Sequence, residues 1–285
     1  MSKRGWVLFC SLSLIWGLPY FFIRLAVAEL NPGFLVASRM LLAAALLVPL
    51  ALLRREQRFL AGHWRWILLL ALVEMAVPFG LLSWAETRLT SSVTGLMIAT
   101  VPIVSAVVAA QLGLADRLNA KRSVGLAVGL AGVALLVGLD LGIGDAWALL
   151  ALLIVAAGYA VGPIIIATKL EAVPGTAVMA AAASLTALAY LPWLVFAKPQ
   201  GPVSATAWWS VVALGVVCSA LAFVVLFALV DEVGPTRMTV ITFLNPLVAV
   251  ALGVGLLGEP LTLGILLGFP LILIGSYLST TRSTT

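Results

Sequence analysis

The chain has 285 residues, of which 63% are hydrophobic and 9% are charged, and its formal net charge is +5. So few charged side chains cannot cover the surface of a water-soluble domain of this size, which excludes a soluble globular protein. The apolar residues instead form runs of about 20, the length that crosses a bilayer as a helix, without the alternation of a membrane β-barrel. The composition therefore predicts an all-α polytopic membrane protein.

Ten apolar runs are long enough to be transmembrane helices, and short polar segments connect them. They cover residues 6–24, 33–53, 65–84, 92–113, 122–139, 146–168, 176–197, 208–230, 236–257 and 261–280. Connections this short make consecutive helices antiparallel neighbours. The first run follows Lys3 and Arg4, as the core of a signal peptide would. It is longer than such a core and contains Trp16 and Pro19, so we expect a retained helix.

The basic residues predict the orientation of the chain. If the N-terminus is cytoplasmic, twelve lysines and arginines lie on the cytoplasmic side, and Arg24, Arg88 and Lys198 lie opposite. This positive-inside bias places the N- and C-termini in the cytoplasm. The single histidine, His63, lies in a basic cytoplasmic loop beside Trp64, where we expect an interfacial anchor and no metal or catalytic role.

The two halves of the chain share a pattern of prolines, glycines, acids and aromatic residues. A shift of 143 residues aligns Asp116 with Glu259, Gly125 with Gly268, Gly132 with Gly275, Pro49 with Pro192, Trp66 with Trp209 and Trp16 with Tyr159. Each half would hold five helices, an odd number, so the second half must enter the membrane from the other side. We predict two inverted five-helix repeats, residues 1–142 and 143–285.

Several short motifs match one known family. They are Trp16-Gly17 in the first helix, Arg39 early in the second, Pro102 and Pro246 in the fourth and ninth, Gly258-Glu259-Pro260-Leu261 in the last hairpin, and the glycines of the fifth and tenth helices. On these residues the chain resembles, over nearly its whole length, the EamA-type exporters of the drug/metabolite transporter superfamily. The first half departs from the hairpin motif, with Asp116-Arg117-Leu118. The resemblance implies export of small metabolites, and the chain is similar to bacterial exporters of amino acids, aromatic ones included.

Glu74 lies about halfway along the third predicted helix, in the apolar run LLLALVEMAVPFGLL. Placing a carboxylate there costs roughly 2.5–3.5 kcal/mol on insertion scales, so it should face a cavity or a partner. It could bind a proton, a cation or a substrate amine, or it could form a structural ion pair with Arg39. The second half has Val217 and Ala182 at the equivalent positions, and this asymmetry favours a function for Glu74.

Aromatic residues occupy equivalent places in the two halves. Trp16 and Tyr20 are four residues apart and share a helix face, and their counterparts in the sixth helix are Tyr159 and Pro163. Trp16 and Tyr159 lie too deep to be interfacial anchors, which leaves a pocket or core packing. We predict a substrate pocket between the repeats, where aromatic rings offer apolar and cation–π contacts. Its residues are Trp16, Tyr20, Glu74, Thr100, Tyr159, Thr242 and Asn245.

Pro102 and Pro246 lie near the middle of the fourth and ninth predicted helices. Each removes a backbone hydrogen bond, bends its helix and frees a carbonyl group. We predict that these helices act as hinges between inward-open and outward-open states, with Pro78 and Pro163 as further hinge candidates. Three polar residues lie within one turn and could bind substrate or the freed carbonyls; they are Thr100, Thr242 and Asn245.

Glycines at helical spacing predict close helix packing between the fifth and tenth helices. They are Gly125, Gly129, Gly132, Gly264, Gly268 and Gly275. Contact within one molecule and a dimer interface are both compatible with this pattern. Asp116 and Glu259 fall in hairpin turns, where each is predicted to cap the helix that follows it.

The chain lacks the motifs of several other functional classes. No G-x-x-x-x-G-K-[ST] motif occurs, so transport would be passive or coupled to an ion gradient. Cys10 and Cys218 have no partner at metal-binding spacing, and the apolar runs hold no catalytic set, so we expect no enzyme. An exchanger of phosphorylated sugars or nucleotide sugars would need intramembrane cations, for which Arg39 is the candidate.

The favoured hypothesis is a secondary exporter of small metabolites in the bacterial inner membrane. A passive facilitator or channel remains an alternative, although a channel usually lines its pore with polar residues. The expected partners are a small-molecule substrate, the lipid bilayer and protons. We expect a monomer with no cofactor, metal or nucleic acid.

Overall fold

The computed structural model describes residues 2–113, 120–140, 145–233 and 241–280. Within these ranges the chain is helical and contains no β-strand. The ten main helices are α1 Lys3–Val27, α2 Pro32–Leu53, α3 Trp64–Ala85, α4 Ser91–Gln111, α5 Ala120–Asp140, α6 Ala146–Lys169, α7 Gly175–Phe196, α8 Ala205–Val233, α9 Ile241–Leu256 and α10 Leu263–Thr280.

Helices α1 to α8 are long and apolar enough to cross a membrane, and α9 and α10 are shorter apolar helices. Each of the ten overlaps one predicted span. The first residues of the ninth predicted span lie outside the described residues. The prediction of an all-α polytopic membrane protein is confirmed.

Polar caps mark where three helices begin on the predicted outer side of the membrane. The Asn31 side chain accepts a hydrogen bond from the first turn of α2 at 2.8 Å, and Pro32 occupies the position after it. The Thr90 and Ser204 hydroxyls accept from the first turns of α4 and α8, each at 3.2 Å. Side-chain oxygens of this kind satisfy N–H groups that the helix itself cannot.

Two of the long helices contain a wide, π-helical segment. The segment in α3 is Ala71–Ala76, and the segment in α8 is Ala213–Leu221. The shift of 143 residues carries residues 71–76 onto 214–219, which lie inside the second segment. Pro78 follows the first segment almost directly, and its missing N–H suits a place where the regular hydrogen-bond ladder is interrupted. Hydrophobicity alone gives no signal for these turns.

Helix packing follows the symmetry of an inverted repeat. The most extensive contacts join α5 with α10 and α2 with α7, and these are pairs of equivalent helices. The contact of α1 with α9 has its counterpart in that of α6 with α4, and the contact of α3 with α6 has its counterpart in that of α8 with α1. Contacts made by a helix of one half thus recur between the equivalent helices with the halves exchanged, the pattern expected for inverted repeats.

The α5–α10 contact is built from glycines on both helices. A methyl group at Gly275 would overlap the backbone of Gly129, and one at Gly132 would lie 2.8 Å from the Gly268 carbonyl oxygen. A methyl group at Gly125 would lie 2.9 Å from the Gly275 carbonyl oxygen. The backbones thus touch directly within one molecule, which small residues permit. Gly264, the remaining glycine of the predicted set, lies in the first turn of α10.

Two apolar clusters fill the interior. The inner cluster includes Leu47 and Leu70, near the predicted cytoplasmic ends of α2 and α3, and the outer cluster includes Ile23 and Leu89, near the opposite ends. Tyr159 packs against both clusters. The Tyr159 ring therefore lies where the inner cluster and the outer cluster meet.

Candidate transport site

Glu74 lies in the π-helical segment of α3, at the contact with α6. Its Oε2 atom is buried and has no hydrogen-bond partner among the described residues. A methyl group at Gly162 of α6 would overlap this atom, and one at Gly158 would overlap the Val73 carbonyl oxygen. The two glycines therefore make room for the wide turn and its carboxylate. A buried carboxylate without a partner is costly in a membrane, and π-turns recur at functional sites.

Arg39 does not form the predicted ion pair with Glu74. No Arg39 side-chain nitrogen lies within 4.0 Å of a Glu74 carboxyl oxygen, and Arg39 points to α8, where its Nε donates to Ser219 Oγ at 2.9 Å. Its guanidinium carbon lies 4.0 Å from the centre of the Phe79 ring. The reason is the packing of α2 on the π-helical segment of α8 at Gly215, where the Arg39 backbone closely approaches that helix. The hydrogen bond and the cation–π contact together stabilise the buried charge.

The two π-helical segments are held by equivalent contacts. In α3 the Ala76 carbonyl oxygen accepts a hydrogen bond from the Tyr190 hydroxyl of α7 at 2.9 Å, and Gly80 leaves room for that hydroxyl. In α8 the acceptor is Ser219, which the 143-residue shift aligns with Ala76, and the donor is Arg39 of α2. Each half of the chain thus holds the wide turn of the other half. Sequence reasoning missed Tyr190 and Ser219, although polar residues in apolar spans were an available signal.

The structure brings together some of the predicted aromatic residues. Tyr159 lies within electrostatic range of Glu74 and of Tyr20. Trp16 is half-buried against the inner cluster, whereas Tyr20 is 6% exposed and belongs to the outer cluster, beside Gly95 of α4. The pair on α1 therefore spans the level of Tyr159, with one ring on each side of it.

Two of the predicted polar residues are engaged by backbone carbonyl groups. The buried Thr100 hydroxyl donates to the Met97 carbonyl oxygen at 2.6 Å. With its amide nitrogen facing both available acceptors, Asn245 donates to the Ser13 carbonyl oxygen of α1 at 3.0 Å and to its own helix at 3.1 Å. The Asn245 hydrogen bond joins α9 to α1, and the Thr100 hydrogen bond closes a turn of α4. Thr242 lies in the first turn of α9.

The predicted hinge prolines occupy different surroundings. Helix α4 is interrupted directly before Pro102, because its first part ends at Ile98 and its second part begins at Val101. Pro246 and Pro163 lie within uninterrupted helices. Symmetry-related prolines therefore have different local effects, and the break in α4 is the stronger distortion.

Glu259 caps a different helix from the one predicted. Its carboxylate accepts hydrogen bonds from the N–H groups of Ser91 at 2.7 Å and Ser92 at 2.9 Å, and from the Ser92 hydroxyl at 2.5 Å. These groups begin α4 of the other half, whereas the prediction named α10, the helix that follows. Gly253 backs the contact, because a methyl group there would overlap Glu259 Oε2 and Ser92 Oγ. Asp116, the other predicted cap, lies outside the described residues.

Glu86 is a buried acid that sequence reasoning missed. It follows α3 directly, is fully buried, and has no hydrogen-bond partner on either carboxyl oxygen among the described residues. Burial raises the pKa of the Glu86 carboxyl well above its usual range, and the nearby Glu259 raises it further, while Arg24 and Arg39 act in the opposite direction. Arg24 Nη1 donates to the Glu86 backbone carbonyl oxygen at 2.6 Å and leaves the carboxyl group unpaired.

A second carboxylate joins the two halves on the predicted outer side. Glu29, after α1, accepts hydrogen bonds from the Ser204 N–H at 2.7 Å and the Ser204 hydroxyl at 2.5 Å. These hydrogen bonds lower the pKa of the Glu29 carboxyl because they stabilise its charged form. Glu29 and Glu259 therefore each cap a helix that belongs to the opposite repeat.

The described cavities lie away from the predicted pocket residues. One cavity of about 360 Å³ opens on the predicted cytoplasmic side between α1, α2, α7 and α8, and Arg54 and Thr176 form a hydrogen bond of 3.2 Å at its wall. Another, of about 420 Å³, is lined by α2, α3 and α7 near Trp84 and Trp193. Neither of these two cavities is lined by a predicted pocket residue. Among the described residues no cluster of His, Cys, Asp or Glu could hold a metal ion.

Comparison with curated proteins finds full-length relatives. The chain is 29% identical over 279 residues to the inner membrane transporter YedA of Escherichia coli K12, covering 94% of this chain and 90% of that protein. It is 23% identical over 279 residues to the transporter YoaV of Bacillus subtilis, covering 95% and 94%.

A solved structure shares the fold over nearly all of both chains. One crystal structure covers 98% of each chain with a TM-score of 0.71 at 19% sequence identity, a likeness that shows the fold alone. The model of the EamA-like transporter family matches residues 3–138 and again residues 143–281. Two family matches that together span nearly the whole chain leave one assignment: the chain is a membrane transporter of the EamA-like transporter family.

Proposed function

We propose that the chain is a secondary exporter of small metabolites in the bacterial inner membrane, and that its substrates are neutral and aromatic amino acids. Transport would proceed by alternating access to a site between the repeats. The observation that carries the proposal is the partly unpaired Glu74 carboxylate in the wide turn of α3, within electrostatic range of Tyr159. Membership of the EamA-like family and the inner membrane relative support the transport function and the location.

The chemistry of the site suits a zwitterion with an apolar side chain. A carboxylate with one buried oxygen that lacks a hydrogen-bond partner can bind an ammonium group or a proton there, since either offsets the cost of the poorly paired charge. The rings of Tyr159 and Trp16, which both pack against the inner cluster, offer apolar and cation–π contacts. A phosphorylated substrate is less well supported, because the buried Arg39 already engages Ser219 and Phe79.

The present conformation supports an occluded or inward-directed state. On the outer side, the Glu259 hydrogen bonds join the α9–α10 hairpin to α4. The cavity near Arg54 and Thr176 lies on the predicted cytoplasmic side. A wide turn can change its hydrogen-bond register at small cost, so opening of the site would involve the π-helical segments and the break before Pro102.

The proposal is tested with purified protein in liposomes. Uptake and counterflow would be measured for a panel of amino acids and phosphorylated sugars, with and without a pH gradient, for the wild type and Glu74→Gln. We expect counterflow of neutral and aromatic amino acids by the wild type. The variant should lose acceleration by the gradient, because its amide cannot carry the proton.

Two results would contradict the proposal. Transport restricted to phosphorylated sugars would show that the protein is the alternative exchanger and that amino acids are not its substrates. Equal activity of the wild type and Glu74→Gln at every pH would remove Glu74 from proton and amine binding.

A further inference from the structure

Glu86 occupies a junction of both halves on the outer side of the membrane. It ends α3 and is followed closely by α4, whose N-terminus is capped by Glu259 from the α9–α10 hairpin. Its backbone carbonyl oxygen accepts a hydrogen bond from the Arg24 guanidinium of α1. The residue is fully buried, and both carboxyl oxygens lack a hydrogen-bond partner among the described residues.

The charged and titratable groups around Glu86 come from three parts of the fold. Glu259 from the α9–α10 hairpin disfavours a second negative charge, and Arg24 of α1 and Arg39 of α2 favour one. Tyr20 of α1 is the remaining titratable neighbour. Neither arginine reaches the carboxyl oxygens, because Arg24 binds the backbone and Arg39 binds Ser219.

The two acids differ in the hydrogen bonds that they receive. Three hydrogen bonds from a helix N-terminus stabilise the negative charge of Glu259. Glu86 has no such donors, and an ionised carboxyl group buried without donors is strongly unfavourable. The closed arrangement of the outer side thus fits one ionised acid and one protonated acid.

We propose that Glu86 is a proton-binding site that controls opening of the outer face. With the proton bound, the neutral carboxyl group is compatible with the packed junction, and the Glu259 contact with α4 keeps the face closed. Transient separation of the hairpin from α4 admits water, so that the proton can leave to the outer solution. The resulting anion beside Glu259 is stabilised by water and by pairing with Arg24, and it keeps the hairpin apart from α4. The inference rests on the proposed alternating access and is independent of the substrate class.

The Glu86 proton would be lost and regained on the outer side of the membrane. Its exchange with the outer solution becomes possible when the hairpin separates from α4. Rebinding of a proton from outside would return the face to its closed state. Because burial raises the pKa of the Glu86 carboxyl, the closed form is favoured at low pH, and the open form gains population as pH rises toward and past that raised value.

The experiment measures the distance between spin labels across the outer face. Labels at Thr87→Cys and Leu261→Cys, both exposed sites, would report the separation of the α3–α4 connection from the hairpin. The background would lack the two native cysteines, Cys10 and Cys218. We expect the label distance to lengthen as pH rises without substrate, and the pH response to be lost in Glu86→Gln, with short distances throughout.

Two further variants and one spectroscopic measurement make the test decisive. Glu86→Asp keeps a titratable group and should recover a pH response, while Glu29→Gln alters another outer acid and should keep the wild-type response. Infrared spectra of the wild type should contain a protonated carboxyl band that Glu86→Gln lacks. A wild type with no pH response, or a Glu86→Gln variant that opens like the wild type, would overturn the proposal.

The test is separable from that of the proposed function. Opening that depends on Glu86, combined with no transport of amino acids, would refute the proposed substrate and leave the proton site standing. Transport of amino acids, combined with an outer face whose label distances do not change with pH, would refute the proton site and leave the proposed function standing.

Discussion

At the scale of the residue, the carboxylate of Glu74 fits inside an apolar helix because its neighbour on α6 is a glycine. The side chain of any other residue at position 162 would occupy the volume that Glu74 Oε2 now fills. The wide turn of α3 also brings the Val73 carbonyl oxygen close to α6, where Gly158 leaves room for it. The position of the carboxylate therefore depends on a residue that carries no chemistry of its own.

Gly162→Ala should displace the Glu74 carboxylate without unfolding the protein, since the overlapped atom is the end of a flexible side chain. We expect transport to fall by about ten- to a hundredfold, the scale on which misplaced groups reduce activity. The measurement is counterflow in liposomes for the single variant and for Gly162→Ala combined with Glu74→Gln. In the double variant the glycine substitution should add little to the effect of Glu74→Gln. Additive losses would show that Gly162 acts independently of Glu74.

Residue chemistry was only partly predictable from the sequence. Glu74 was identifiable because an acid in the middle of an apolar run is rare and costly. The partner of Arg39 was not, since its direction depends on which helix lies against α2. Glu86 was overlooked because an acid at the end of a span is ordinary in a sequence, and its burial arises from tertiary packing.

At the scale of the element, ten helices could be predicted because hydrophobicity and length report directly on membrane crossing. The wide turns in α3 and α8 could not, since an extra residue in a helical turn leaves the apolar composition unchanged. Their equivalent positions and their equivalent contacts from α7 and α2 indicate that both repeats use the same device. Only the wide turn of the first repeat contains a carboxylate, that of Glu74.

Gly275→Ala should destabilise the α5–α10 contact, because the added methyl group would overlap the backbone of Gly129. Overpacking of this kind costs about 1–3 kcal/mol. Thermal unfolding in detergent should show a lower Tm than for the wild type. Gly138→Ala is the matched control on α5, since its methyl group would meet nothing within 4 Å and its Tm should not fall. Equal Tm values for Gly275→Ala and Gly138→Ala would contradict the packing described.

At the scale of the whole molecule, the two repeats are joined by reciprocal contacts. Glu29 of the first half caps α8, and Glu259 of the second half caps α4. The sequence predicted the repeat from aligned prolines and glycines, and it placed Glu259 at a helix terminus. It assigned the wrong helix, because capping by a residue 168 positions away leaves no local signal.

Gly253→Ala should weaken closure of the outer face, because the methyl group would displace Glu259 and Ser92 from each other. At a fixed pH we expect longer distances between spin labels at positions 87 and 261 than in the wild type. Gly255→Ala, two residues away on α9, is the control, since open space surrounds its added methyl group. Unchanged distances in Gly253→Ala would show that the Glu259 contact does not hold the face closed.

The direct backbone contact between α5 and α10 has a consequence for how motion in this protein is observed. Helices whose backbones touch at several glycines have little freedom to slide or separate, because interiors packed this closely deform little. They supply a fixed frame of reference in each molecule. Displacements of α1, α4 or α8 measured against α5 and α10 report movement of the transport machinery itself. Distances between two mobile helices would mix their separate displacements.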